Sequence, residues 1–145
     1  MTLDAIIEIM GGTSTLGQRV HSVADFMRIS EEGMSVEVIR GIQERMGFTN
    51  KEMSKFLDIS ESTLHRYLRT ENNILKKDEA EKAFHISKVI AKGLDVFEEK
   101  EAFLDWLHTP NTALGGVKPI DWMPSSIGRE QLLDLLVSID YGMYS

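Results

Sequence analysis

Apolar residues along this chain recur every three or four positions and never alternate for long, which is the spacing of helices that bury one face. Residues 3–10 (LDAIIEIM) form a short apolar segment. Gly11, Gly12, Thr13 and Ser14 are expected to break it. Residues 22–29 predict another short helix, stopped near Gly33. Ser35 is placed to cap a third, in which Val38, Ile42 and Met46 recur every four residues and Gly47 marks the end. From Thr49 the pattern tightens into two short helices. Thr49 and Glu52 have the spacing of a capping box, and Met53, Phe56 and Leu57 supply an inward face. Asp58 falls at the turn and Ser60 at the next cap, after which Leu64 and Leu68 point inward. A longer helix is expected from about Asp78 to Leu94, with Ala83, Ile86, Ile90 and Leu94 as its stripe. Further helices are expected over 99–107 and from about Ser126 to Asp140. The loop 110–124 between them holds Pro110, Pro119, Pro124 and the pair Gly115-Gly116. The fold class is all-α, with no strand alternation long enough to count.

Two helices joined by a tight turn, with polar and basic residues on the outer face of the second, are a device for placing a helix in the major groove. Ser60, Ser62, Thr63, His65 and Arg66 occupy the half of that helix that meets base edges. Asn50 and Arg69 are placed for phosphates. Glu61, on the same face, is adverse unless it accepts from a cytosine amino group.

The charge distribution sharpens this. The 145 residues carry a net charge of -7. Residues 1–49 hold four Lys/Arg against seven Asp/Glu, residues 50–92 nine against seven, and residues 93–145 three against nine. Only the middle third is basic enough to attract phosphates, whereas the last third repels DNA and calls for a different partner.

With no cysteine, disulfides, thiolate catalysis and Cys-based zinc sites are excluded. The four histidines show no metal-ligand spacing, and no catalytic motif occurs. Neither an enzyme nor a metal or other cofactor is expected. No apolar run approaches the roughly 20 residues that span a bilayer, and the first segment is unlike a signal peptide, so a cytoplasmic protein without membrane contact is expected.

Two stretches resemble a known family. Gly33-Met34, Glu52-Met53-Ser54, Ile59-Ser60 and Ser62-Thr63-Leu64-His65-Arg66, followed by an acid-led helix ending in Val-Phe, resemble the helix-turn-helix domain of Xre/MbcA/ParS antitoxins. Trp106-Leu107, Thr109-Pro110-Asn111, Leu114-Gly115-Gly116, Pro119, Gly128-Arg129 and Tyr141-Gly142-Met143-Tyr144-Ser145 resemble that family's toxin-binding domain. The expected division is an N-terminal extension at 1–24, the helix-turn-helix domain at 25–94 and the toxin-binding domain at 95–145. The resemblance implies a Res-type toxin partner that consumes NAD or transfers ADP-ribose, with the antitoxin's C-terminal end blocking the active-site cleft. Leu114, Gly115, Gly116, Arg129, Tyr141, Gly142, Tyr144 and Ser145 are the residues it assigns to toxin contact. Helix-turn-helix regulators bind operator DNA as symmetric dimers on paired half-sites, so a homodimer or a higher toxin-antitoxin assembly is expected. Arg129 opens a helix where the dipole disfavours a cation, which points to a specific partner in this chain or in a toxin. The alternative is a lone transcription regulator whose C-terminal domain dimerises or binds a ligand.

Overall fold

Helix α7, Lys77–Phe97, is the axis around which the other elements pack. The computed structural model describes residues 2–70 and 73–142. In chain order the helices are α1 (Leu3–Ile9), α2 (Gly12–Leu16), α3 (Val23–Glu32), α4 (Glu37–Met46), α5 (Asn50–Leu57), α6 (Glu61–Arg69), α7, α8 (Lys100–Leu107) and α9 (Ser126–Asp140). Two 3-10 turns, Thr112–Leu114 and Pro119–Trp122, lie between α8 and α9. Strands β1 (Met34–Ser35) and β2 (Ile74–Leu75) pair antiparallel, Met34 opposite Leu75. The fold is all-α apart from this clip.

Local chemistry sets most boundaries. Hydroxyls of Thr2, Ser22, Thr49, Ser60 and Ser125 each accept from a backbone N–H in the first turn of the helix that follows. Each satisfies a donor that no helical carbonyl can reach. Ser35 acts similarly, accepting from the Glu37 N–H at 3.1 Å.

Several expectations are corrected. The run from Gly11 to Ser14 breaks α1 but does not form a loop, because residues 12–16 wind into α2 and bury Leu16. The long helix starts at Lys77 and continues to Phe97, beyond the expected Leu94. In α6 Leu64 and Leu68 do face the core, Leu68 half-buried, and Tyr67, which spacing left out, is buried with them.

One buried apolar cluster runs from Ile6 to Leu136. Residues 1–24 join it: Ile6, Ile7, Ile9 and Met10 are buried, and α1 packs on α7. The inner face of α7 is built from Ala80, Ala83, Ile86, Val89, Ile90, Ala91 and Gly93. Toward its N-terminal end it meets α3, α4 and α5, and it also packs against α8 and α9. Both halves of the chain therefore share one core.

Candidate DNA- and toxin-binding surfaces

The helix pair α5–α6 is fixed at three points. Thr49 accepts from the Glu52 N–H at 3.0 Å, and Glu52 Oε1 accepts from the Thr49 N–H at 2.9 Å, completing the capping box. At the turn Asp58 has φ 54° and ψ 49°, a left-handed conformation that Asp tolerates better than most residues. The N–H of Ile59 then closes onto the Ser54 carbonyl at 3.0 Å. Beyond the turn, Ser60 Oγ accepts from the Thr63 N–H at 3.0 Å and donates to Thr63 Oγ1 at 2.9 Å.

Burial of Leu64 and Tyr67 against the core leaves Ser62, His65, Arg66 and Arg69 outside. Ser62, His65 and Arg69 line a polar concavity of about 530 Å3 with Asn50 and Glu61. Arg66 stands beside it, its guanidinium carbon 5.7 Å from the centre of the Tyr67 ring. Asn50 Oδ1 accepts from Gln43 Nε2 at 2.9 Å, which leaves its amide N–H groups to donate outward. Of the seven residues the sequence nominates for DNA, five gather on this surface. The hydroxyls of Ser60 and Thr63 are turned onto each other and onto the cap.

The C-terminal residues divide in the same way. Asn111 organises the turn: its N–H donates to the Val117 carbonyl at 3.0 Å, and its Oδ1 accepts from the Ala113 N–H at 2.9 Å. Leu114 is buried beneath, while Gly115 and Gly116, at φ 73° and 86°, are exposed. Arg129 is buried too, and Nη1 donates to the Met123 carbonyl at 2.8 Å. Its partner is thus within this chain, and burial draws its pKa down. Tyr141, just past α9, is 79% exposed, and Gly142 follows at φ 74°. Asp140 accepts from Lys92 Nζ of α7 at 3.2 Å, which holds that end of α9 in place. Tyr144 and Ser145 lie outside the described residues.

An apolar cleft of about 530 Å3 opens beside this end, lined by Phe97, Trp106, Pro110, Ala113, Leu135 and Ile139. Phe97 and Trp106 have ring centres 5.7 Å apart, and Trp106 stacks on Phe103 at 6.1 Å. Phe103 is fully buried, but Trp106 is only half-buried and lines the cleft. Helical spacing marks Trp106 as apolar without telling which flank of it is covered.

Residues 25–88 match the antitoxin Xre-like helix-turn-helix domain. Residues 92–142 match the antitoxin Xre/MbcA/ParS C-terminal toxin-binding domain. The chain belongs to the Xre/MbcA/ParS antitoxin family. It is similar to Antitoxin Xre of Yersinia enterocolitica serotype O:8 / biotype 1B, 25% identical over 78% of this chain and 76% of that one. It is also similar to the Prs ADP-ribosylating antitoxin of Sphingobium sp. strain YBL2, 23% identical over 86% and 83% of the two chains. A chain in the crystal structure of the M. tuberculosis MbcT-MbcA toxin-antitoxin complex shares the fold. The TM-score is 0.56 at 19% identity, covering 76% of this chain and 96% of that one. In this antitoxin the two family matches meet inside α7. Among the described residues no group of His, Asp and Glu is placed to hold a metal ion, and no helix is long and apolar enough to cross a membrane.

Proposed function

We propose that this antitoxin neutralises a Res-type toxin that consumes NAD or transfers ADP-ribose, and represses its own operon through α5–α6. The observation that carries the first part is the C-terminal end of α9. Tyr141 is exposed there as a rigid aromatic anchor, and Gly142 allows the chain to turn toward a toxin cleft. Residues 93–145, with three basic against nine acidic side chains, complement a basic cleft that holds NAD phosphates. The name of one relative, Prs ADP-ribosylating antitoxin, supports such chemistry. Gly115 and Gly116 and the Trp106 cleft offer a second, apolar point of contact, which Leu114 and Arg129 support from beneath.

For the operator, His65, Arg66 and Ser62 are the base-reading side chains, with Asn50 and Arg69 on the backbone. Ser60 and Thr63 fix the helix that presents them. A symmetric homodimer on paired half-sites supplies the affinity that one small basic surface lacks. Deleting residues 141–145 tests the neutralising end. The truncated antitoxin is expected to lose toxin neutralisation in co-expression and to keep operator binding. Full protection by the truncated chain refutes the plug.

A further inference from the structure

A second cationic surface involves α5. There a groove of about 420 Å3 runs between α5 and the segment that leads into α9. Lys51 and Lys55, one turn apart on α5, line one wall, and Lys118, at the entry to the Pro119–Trp122 turn, lines the other. Phe56, Ile120 and Pro124 contribute its apolar lining. None of the three ammonium groups is in an ion pair or hydrogen bond among the described residues. By contrast, Lys77, Lys82 and Lys92 are each tied to a carboxylate.

His108 lies at the edge of the same groove. Its Nδ1 is 2.8 Å from the Leu104 carbonyl and its Nε2 is 2.9 Å from Glu52 Oε2. Both neighbours are acceptors, so only the doubly protonated ring satisfies both. The facing carboxylates are Glu52 and Asp121. Glu52 is already engaged by the Thr49 N–H and by His108, which leaves the groove with a positive balance.

The position of this balance is informative. Lys118 is one of only three basic residues in the acidic last third, and it sits at the edge nearest the helix-turn-helix. Asn50 lines the concavity of the recognition helix, and the next residue, Lys51, lines this groove. A phosphodiester strand that passes from Asn50 around the start of α5 would meet Lys51 next. We propose that this groove carries the DNA backbone flanking the half-site, so that Lys118 of the toxin-binding half contributes to operator affinity. The inference rests on the operator reading above. It adds a phosphate contact in the half of the chain whose net charge alone argues against DNA.

The experiment is a salt titration of full-length antitoxin on a duplex spanning the region upstream of its gene, with an unrelated duplex alongside. Wild type, Lys118→Gln, the double variant Lys51→Gln/Lys55→Gln and Arg66→Ala are compared, with circular dichroism as a check on folding. Each lysine lost is expected to flatten the slope of log K against log salt by about 0.9, which is about eightfold weaker binding at 0.1 M salt. The loss is expected on both duplexes, as for any phosphate contact. Arg66→Ala is expected to weaken the operator duplex by roughly tenfold or more and to spare the unrelated one. If Arg66→Ala weakens binding while Lys118→Gln keeps the wild-type slope and affinity, this inference falls and the operator reading stands. If the wild type binds neither duplex, both fall.

Discussion

Glu79 is only 3% exposed, and its Oε1 accepts from the Tyr67 hydroxyl at 2.8 Å and the Lys76 N–H at 2.9 Å. One carboxylate thereby closes the start of α7 and ties the recognition helix to it. Burial pushes the Tyr67 phenol up, and its bond to Glu79 adds to the shift. Tyr67→Phe keeps the ring and removes the donor. It is expected to cost about 1–3 kcal/mol, because a buried acceptor loses one of its partners. Urea denaturation followed by circular dichroism measures it, and an unchanged midpoint would detach the hydroxyl from stability. The Thr49–Glu52 capping box could be read from the sequence because its partners lie three residues apart. The Tyr67–Glu79 bond could not, since its partners are twelve apart and Leu64 pairs as well with Leu68 on helical spacing as with Tyr67. Arg129 was half readable: its awkward place at a helix start pointed to a partner, but only the fold identifies that partner as the Met123 carbonyl.

Between elements, close approach at two glycines decides the packing. A Cβ on Gly93 would lie 2.1 Å from the Phe103 ring, so that ring of α8 rests directly on the backbone of α7. A Cβ on Gly128 would lie 2.2 Å from the Trp122 carbonyl oxygen, a backbone atom with little freedom to move aside. Gly41, within α4, has nothing within 4 Å of the same position. Alanine should therefore act oppositely at these sites. At Gly93 and Gly128 it is expected to destabilise by about 1–3 kcal/mol or more through overpacking. At Gly41 it is expected to stabilise by up to about 1 kcal/mol through helix propensity. Thermal melting of the three variants checks the signs. The apolar stripe of α7 was legible because helical spacing is a local property. The need for a small residue at 93 was not, because Phe103 belongs to the next helix. The β1–β2 clip escaped for another reason: two residues per strand are too few to show alternation.

Across the whole molecule, His108 and Glu52 join the segment that matches the toxin-binding domain to the capping box of the helix-turn-helix. The hydrogen bond to Glu52 raises the His108 pKa above 6.5, and the Leu104 carbonyl supports it against partial burial. Burial pushes the Glu52 carboxyl up, but bonds from the Thr49 N–H and His108 outweigh it and leave it below 4.5. The histidine's contribution is full below its unfolded pKa and disappears as pH rises through the folded one. The carboxylate's contribution is present above its unfolded pKa and disappears as pH falls through the folded one. The strut is therefore strongest between about pH 4.5 and 6.5. Wild type is expected to exceed His108→Gln in stability most near pH 5.5, by no more than about 1 kcal/mol for so exposed a pair, and less at pH 8. Denaturant titrations at both pH values test this, and a gap that widens toward pH 8 would reverse the assignment. Charge and motifs pointed to two halves of different character. The sequence did not show that residues 1–24 complete their common core, because α1, with Ile6, Ile7 and Ile9 buried, finds its partner in α7, some seventy residues on.

Helix α7 also bears on ancestry. The seam between the two family matches falls within a continuous helix whose inner face is committed on both sides of residues 89–91. Recombination there joins two half-helices shaped by different neighbours, whereas exchange at a loop would leave each half its own packing. Exchange of either half within α7 therefore has to preserve that shared inner face.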